Sequence, residues 1–226
     1  MNEIIRCLKL VEYGTQAKVT KIFSIIFFVI GIAYFFFTLN MSGWLNGFSG
    51  FIIGFGGMFL WQPAITCNYL KLTDSAPMRK MMTVRFFPLM SFVTFAVQIV
   101  FFAAAGGIAS AFLPMAGRNA VNAMILSVLT AALVCIAICM PKLKPVFIFF
   151  DWLVCTAAVE HILIDDTYDF AELTGIGYDR IFSWAVVCIV GTGLVSLLTL
   201  GVLRLLYKKP YSSFYRKMAE NYKGNF

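Results

Sequence analysis

The chain alternates long apolar runs with short polar segments that carry nearly all of its charges. No charged residue occurs between Lys21 and Lys71, and none occurs between Arg85 and Arg118. About 20 apolar residues in a helix cross a hydrocarbon core roughly 30 Å thick, so runs of this length predict transmembrane helices. Six spans are predicted, at residues 22–39, 44–61, 86–106, 119–140, 145–164 and 181–203. The predicted fold class is all-α, a polytopic membrane protein with one transmembrane domain over residues 1–226.

The N-terminal segment, residues 1–21, mixes polar and apolar positions and differs from the spans that follow it. Ile4, Leu8 and Val11 fall on one side of a helix, while Lys9 and other polar residues lie elsewhere around it. This pattern predicts an amphipathic helix lying in the membrane interface. A basic leader that only enforces topology is the alternative.

Composition and charge agree with a membrane protein and indicate its orientation. The chain is 61% hydrophobic and 13% charged, whereas an ordinary soluble domain is about 25% charged. Its net charge of +7 does not indicate nucleic-acid binding, because the basic residues flank apolar spans and form no patch with interleaved aromatic residues. With six spans, 16 of the 18 lysines and arginines fall on one side, and only Arg118 and Arg180 fall on the other. The positive-inside rule therefore predicts that both termini, including the basic tail 204–226, are cytoplasmic in a cell membrane.

Five glycines of the second span recur at alternating steps of four and three residues, which places them on one helical face. Small residues in this pattern allow a neighbouring helix to approach closely, within the chain or between two copies. A selectivity filter is the functional alternative, but the helical spacing argues against irregular backbone. The predicted packing face consists of Gly43, Gly47, Gly50, Gly54 and Gly57.

Ionisable residues clearly inside a predicted span occur in the fifth, as Asp151, Glu160 and His161. Such groups are costly in a membrane and mark a candidate functional site that faces the bundle interior or water. A structural role stays open for each of them. Asp151 can bond to a neighbouring helix, and the Glu160 and His161 pair can lie at the outer interface.

Intrinsic catalysis is not predicted, because the sequence contains no HExxH, GxSxG or P-loop motif. His161 is the only histidine, which excludes a multi-histidine metal site, and the six cysteines are predicted to be small packing residues. No catalytic, metal-binding or cofactor-binding residue is therefore expected. Any ATP-driven activity requires a partner that supplies the ATPase.

The segment from residue 62 to residue 85 is predicted to be a cytoplasmic loop, since four basic residues face one acid. Within it, Ser75-Ala76-Pro77-Met78-Arg79-Lys80-Met81-Met82-Thr83, followed by Pro88, resembles the stretch after the second span in permease subunits of bacterial type-2 ABC exporters. The interfacial N-terminal helix, the six-span topology and the tail Tyr207–Ser212 fit the same family.

This resemblance implies a permease that works as a homodimer or heterodimer, with each half engaging a separate P-loop ATPase. ATP would be bound by that partner only, and the substrate would be lipid-like, peptide or drug-like. The resemblance assigns an ATPase-coupling loop to Lys71, Asp74, Pro77, Arg79, Lys80 and Arg85.

Two other functional classes fit the same hydrophobic pattern. One is a non-transporting membrane sensor, immunity or scaffold protein, and the other is a stand-alone channel or ion-coupled carrier. The sequence does not indicate the substrate or the direction of transport. It also does not indicate whether the second permease of a dimer is a copy of this chain. A gene for a P-loop ATPase next to this one would favour the exporter.

Overall fold

A computed structural model of the chain describes residues 17–41, 47–69, 80–139, 142, 171 and 174–209. This part of the chain is helical, with turns between helices, and the all-α prediction is confirmed for it. The helices are α1 (Ala17–Thr38), α2 (Gly47–Tyr69), a π-helical turn (Met81–Phe86) that continues into α3 (Phe87–Ala109), α4 (Ala116–Cys139) and α5 (Ile181–Leu205).

Four helical segments within the described ranges are long and apolar enough to cross a membrane. They lie at Lys18–Thr38, Met81–Ala109, Ala116–Cys139 and Ile181–Leu205, and a shorter apolar stretch occupies Gly47–Leu60 of α2. The four long segments coincide with the predicted first, third, fourth and sixth spans, and the shorter stretch falls within the predicted second span. The predicted fifth span, 145–164, lies outside the described residues.

Several helix boundaries differ from the predicted ones. α1 begins at Ala17, so residues 17–21 belong to the first long helix, and residues 1–16 of the predicted interfacial helix lie outside the described part. α2 continues to Tyr69, so the predicted loop from residue 62 starts later. A helix satisfies its own backbone hydrogen bonds, so it can extend past the point where its sequence becomes polar.

A π-helical turn precedes α3 and includes Arg85, which had been assigned to the predicted loop. Pro88 lies two residues after this turn and has no backbone N–H, so the carbonyl four residues earlier, on Val84, loses its usual donor. The irregular turn and this missing donor therefore lie next to each other, at the start of α3.

α4 lies at the centre of the bundle and contacts α2, α3 and α5. The apolar window of α4 is 56% buried, against 22% to 33% for the other three candidate spans. α1 packs mainly on α2 as an antiparallel hairpin, where Ser24 Oγ donates to Gly56 O at 2.7 Å. α4 is therefore the central helix of the bundle, and α1 is attached to it through α2.

The bundle buries polar side chains together with its apolar core, and it leaves many large apolar side chains exposed on its outer surface. On α5 the buried stripe contains Thr192, Ser196 and Thr199, while Phe182 and Leu198 point outward and are exposed. In water this arrangement would expose a large apolar surface, whereas lipid covers such a face at no cost. The burial pattern is thus that of a membrane bundle.

α4 and α5 run parallel to each other. Val128 lies beside Gly191 in the middle of the pair, and Cys139 packs on Leu203 near the C-terminal ends. At the N-terminal ends, Gly117 lies beside the backbone of Tyr178. Both helices therefore begin at one end of the bundle and finish at the other.

The basic residues of the described part are segregated between these two ends. Arg118 and Arg180 lie where α4 and α5 begin, an end that we call the opposite end. The other end, which we call the basic end, carries Lys18, Lys21, Lys80, Arg85, Lys142, Arg204, Lys208 and Lys209. This segregation follows the charge asymmetry on which the predicted orientation rests.

Candidate functional site

A polar junction joins α2, α3 and α4 in the middle of the bundle. Gln98 of α3 is 4% exposed, and its Nε2 donates to Gly50 O at 2.7 Å and to Ser127 Oγ at 2.9 Å. The Ser127 hydroxyl in turn donates to Ala123 O, one turn earlier on α4, at 2.7 Å. One side chain therefore links three helices in the part of the bundle where water is scarce.

The junction depends on a close approach between α2 and α4. A Cβ atom at Gly50 would collide with Ala123 O and lie 3.0 Å from Ser127 Oγ. Farther along α2, a Cβ at Gly54 would lie 2.6 Å from Thr130 Cγ2. Only glycine leaves room for the backbones at this distance.

The predicted glycine face can be followed in part. Gly50 and Gly54 face α4, a Cβ at Gly57 would lie 2.6 Å from Thr94 Cγ2 of α3, and Gly47 is buried. Gly43 lies outside the described residues. The described members therefore pack within the chain, against α3 and α4.

Buried polar atoms of the described part that have no hydrogen-bond partner include Gln98 Oε1, Asn122 Oδ1 and Trp184 Nε1. A buried polar group without a partner costs about 1–3 kcal/mol. These atoms lie on α3, α4 and α5, at different depths of the bundle. The interior is consequently more polar than helix packing alone requires.

This polar interior was not predicted, because its side chains are uncharged and the predicted sites consist mainly of ionisable residues. The available signal was the presence of amides, Gln98 and Asn122, within otherwise apolar runs. Amides in transmembrane helices turn toward other helices for the same reason that charges do. The described cysteines, Cys135, Cys139 and Cys188, are free and buried.

The opposite end is held by an asparagine and an aromatic stack. Asn119 Nδ2 donates to Leu39 O at 2.7 Å and to Met41 O at 2.9 Å, which fixes the turn after α1. Tyr178 stacks on Trp184 with their ring centroids 6.3 Å apart, and Arg118 lies 5.7 Å from the Tyr178 ring. These contacts attach the segment before α5 to the start of α4.

At the basic end, the described part of the predicted coupling loop is its final stretch. Lys80 and Arg85 are exposed, while Met82, Val84 and Phe86 are buried. Val84 packs in one cluster with Cys139 of α4 and Leu203 of α5. The π-helical turn thus has a charged outer side and an inner side anchored to two spans.

The remaining predicted site residues lie outside the described part of the chain. For the coupling loop these are Lys71, Asp74, Pro77 and Arg79. For the fifth span they are Asp151, Glu160 and His161. The described ranges bring no three histidine, cysteine or acidic side chains together as a metal-binding group.

No protein family, curated protein or solved structure matches the chain in comparisons of sequence and fold. Its function is therefore argued from its own residues.

Proposed function

We propose that the chain is the membrane-embedded permease subunit of an ATP-driven exporter and that a separate ATPase docks at the basic end. The observation that carries this proposal is the π-helical turn, which presents Lys80 and Arg85 outward while Val84 packs on α4 and α5. A partner that binds the charged side of this turn can displace the two spans that its inner side contacts. Such mechanical contact is what a transport ATPase needs, because its hydrolysis must move the membrane helices.

The parallel arrangement of α4 and α5 supports the six-span topology of the proposal. Two parallel spans that follow each other in sequence require the chain to return across the same thickness between them. The predicted fifth span supplies one such return, and the junction between residues 142 and 174 is long enough for it. With this return, both termini lie on the basic side, which the positive-inside rule assigns to the cytoplasm.

In the proposed cycle the subunit binds no nucleotide itself. ATP binding by the partner draws two permease halves together, in a homodimer or a heterodimer, and opens a path for a lipid-like, peptide or drug-like substrate. The close packing of α2 on α3 and α4 at Gly50, Gly54 and Gly57 holds these helices together in each half, so they move as one body. When the partner ATPase draws the two halves together, the helices of each half pivot at the π-helical turn and at its contacts with α4 and α5.

The test is co-purification of the full-length tagged chain with an ATPase encoded beside it, and measurement of the ATPase turnover in the complex. Arg85→Glu is expected to reduce the amount of bound ATPase about tenfold, since it reverses a charge in the docking surface. Arg180→Glu is the matched control, because it reverses one exposed arginine at the opposite end and is expected to leave docking intact. Both variants must first insert into the membrane at wild-type levels.

Two results would contradict the exporter. One is a wild-type chain that neither binds an ATPase nor changes its turnover, which would favour a non-transporting sensor, immunity or scaffold protein. The other is equal loss of binding in the Arg85→Glu and Arg180→Glu variants, which would remove the π-helical turn from the docking surface.

A further inference from the structure

The end of α5 presents basic side chains on an ordered turn. Arg204 lies in the last turn of the helix, and Lys208 and Lys209 follow it, all three exposed. Leu206 N donates to Val202 O at 2.9 Å, and Lys209 N donates to Leu206 O at 3.0 Å. Backbone hydrogen bonds therefore order the turn from which the three basic side chains extend.

The negative end of the α5 dipole, which would repel an anion at this position, is compensated by Lys142. This lysine is 7% exposed, and its Nζ lies 3.4 Å from both Leu206 O and Tyr207 O. It also lies 5.7 Å from the centroid of the Tyr207 ring. A cation at the C-terminus of a helix offsets the partial negative charge of the last carbonyl groups. The electrostatic potential near the three exposed cations is therefore positive and favours binding of a negatively charged group.

Apolar surface begins directly beside these cations. Leu205 is 86% exposed, and Val202 and Leu198, on the same outer side of α5, are 40% and 71% exposed. The occupant of this surface must therefore combine a negative group with an apolar body. A soluble acidic protein would leave the leucines uncovered, whereas a phospholipid covers them with its acyl chains.

We propose that the end of α5, through Arg204, Lys208 and Lys209, binds the phosphate-bearing headgroup of an anionic phospholipid, whose acyl chains lie along Leu198, Val202 and Leu205. Within the described ranges the one acidic residue is Asp179, which lies at the opposite end. The described part of the basic end therefore contains no acidic side chain. Clustered lysines and arginines beside a membrane span attract anionic lipids through the surface potential that those lipids create. This site needs no ATPase partner, so its test is independent of the exporter proposal.

The experiment is native mass spectrometry of the full-length protein, purified in detergent with equimolar phosphatidylglycerol and phosphatidylcholine of identical acyl chains. The wild-type protein is expected to retain phosphatidylglycerol preferentially. The Lys208→Gln/Lys209→Gln variant is expected to lose about tenfold of this preference, since each cation near the surface contributes to the attraction. The control, Arg118→Gln/Arg180→Gln, removes two positive charges at the opposite end and is expected to keep the preference.

Gel filtration and circular dichroism of each variant separate loss of lipid from loss of fold. Equal retention of the two lipids by the wild-type protein would overturn the proposal, and so would an unchanged preference in the Lys208→Gln/Lys209→Gln variant. Displacement of the phospholipid by millimolar inorganic phosphate would also overturn it, because the site would then recognise phosphate without the acyl chains.

Discussion

Gln98 of α3 is a buried polar side chain that connects α3 to two other helices inside the bundle. Its amide nitrogen donates to two helices, while its amide oxygen is buried without a partner. Interhelical hydrogen bonds in membranes contribute only about 0.6 kcal/mol on average. The stabilisation from the hydrogen bonds of the amide nitrogen and the cost of burying the unpartnered amide oxygen therefore nearly cancel. The net contribution of Gln98 to the free energy of unfolding is small.

The first prediction concerns the substitution of Gln98. Gln98→Leu keeps a similar volume and removes both the donor and the unpartnered oxygen, so the free energy of unfolding is expected to change by less than about 1 kcal/mol. Gln98→Glu is expected to cost about 3 kcal/mol, because it places an ionisable group inside the bundle. Unfolding in mixed micelles titrated with a denaturing detergent measures both. A loss above about 2 kcal/mol for Gln98→Leu would mean that the junction stabilises the bundle.

At the scale of the helix, the packing of α2 follows from its glycines. The spacing of Gly50 and Gly54 was sufficient to predict a close helix contact, because helical periodicity places them on one face. The spacing could not predict which helix packs on this face, since α4 is remote in sequence and the contact depends on how the whole chain is arranged. In the structure the contacting helix is α4, through Ala123 and Thr130.

The second prediction compares two glycine-to-alanine substitutions. Gly50→Ala is expected to destabilise the bundle by about 1–3 kcal/mol, because its Cβ would collide with the backbone oxygen of Ala123, which cannot rotate away. Gly201→Ala on α5 is the control, because nothing lies within 4 Å of its Cβ position and alanine favours the helix. The same unfolding titration measures both. Equal effects of the two substitutions would contradict the tight contact between α2 and α4.

The boundaries of the helices show what local sequence could not predict. α2 was expected to end where polar residues begin, but it continues to Tyr69. Hydropathy reports the edge of the membrane, whereas the end of a helix depends on caps and tertiary contacts. The π-helical turn before Pro88 was not predicted, because its wider hydrogen-bond pattern leaves no mark in hydropathy.

At the scale of the whole molecule, charge segregation and helix direction support one topology. The count of lysines and arginines predicted an orientation, and the parallel direction of α4 and α5 is the one that the predicted fifth span would produce. The polar interior, in contrast, arises only when α3, α4 and α5 come together. Its signal in the sequence is limited to amides such as Gln98 and Asn122 within the apolar runs.

We propose that the bundle crosses the membrane with its basic end in the cytoplasm. The most direct test of this proposal is labelling of single cysteines by a membrane-impermeant maleimide in intact cells, in a full-length chain whose six native cysteines are replaced by alanine. We predict that Phe112→Cys and Arg180→Cys are labelled in intact cells, whereas Lys80→Cys and Lys209→Cys are labelled only after permeabilisation. All four positions are exposed. Labelling of Lys80→Cys or Lys209→Cys in intact cells, or opposite results for Phe112→Cys and Arg180→Cys, would contradict the account.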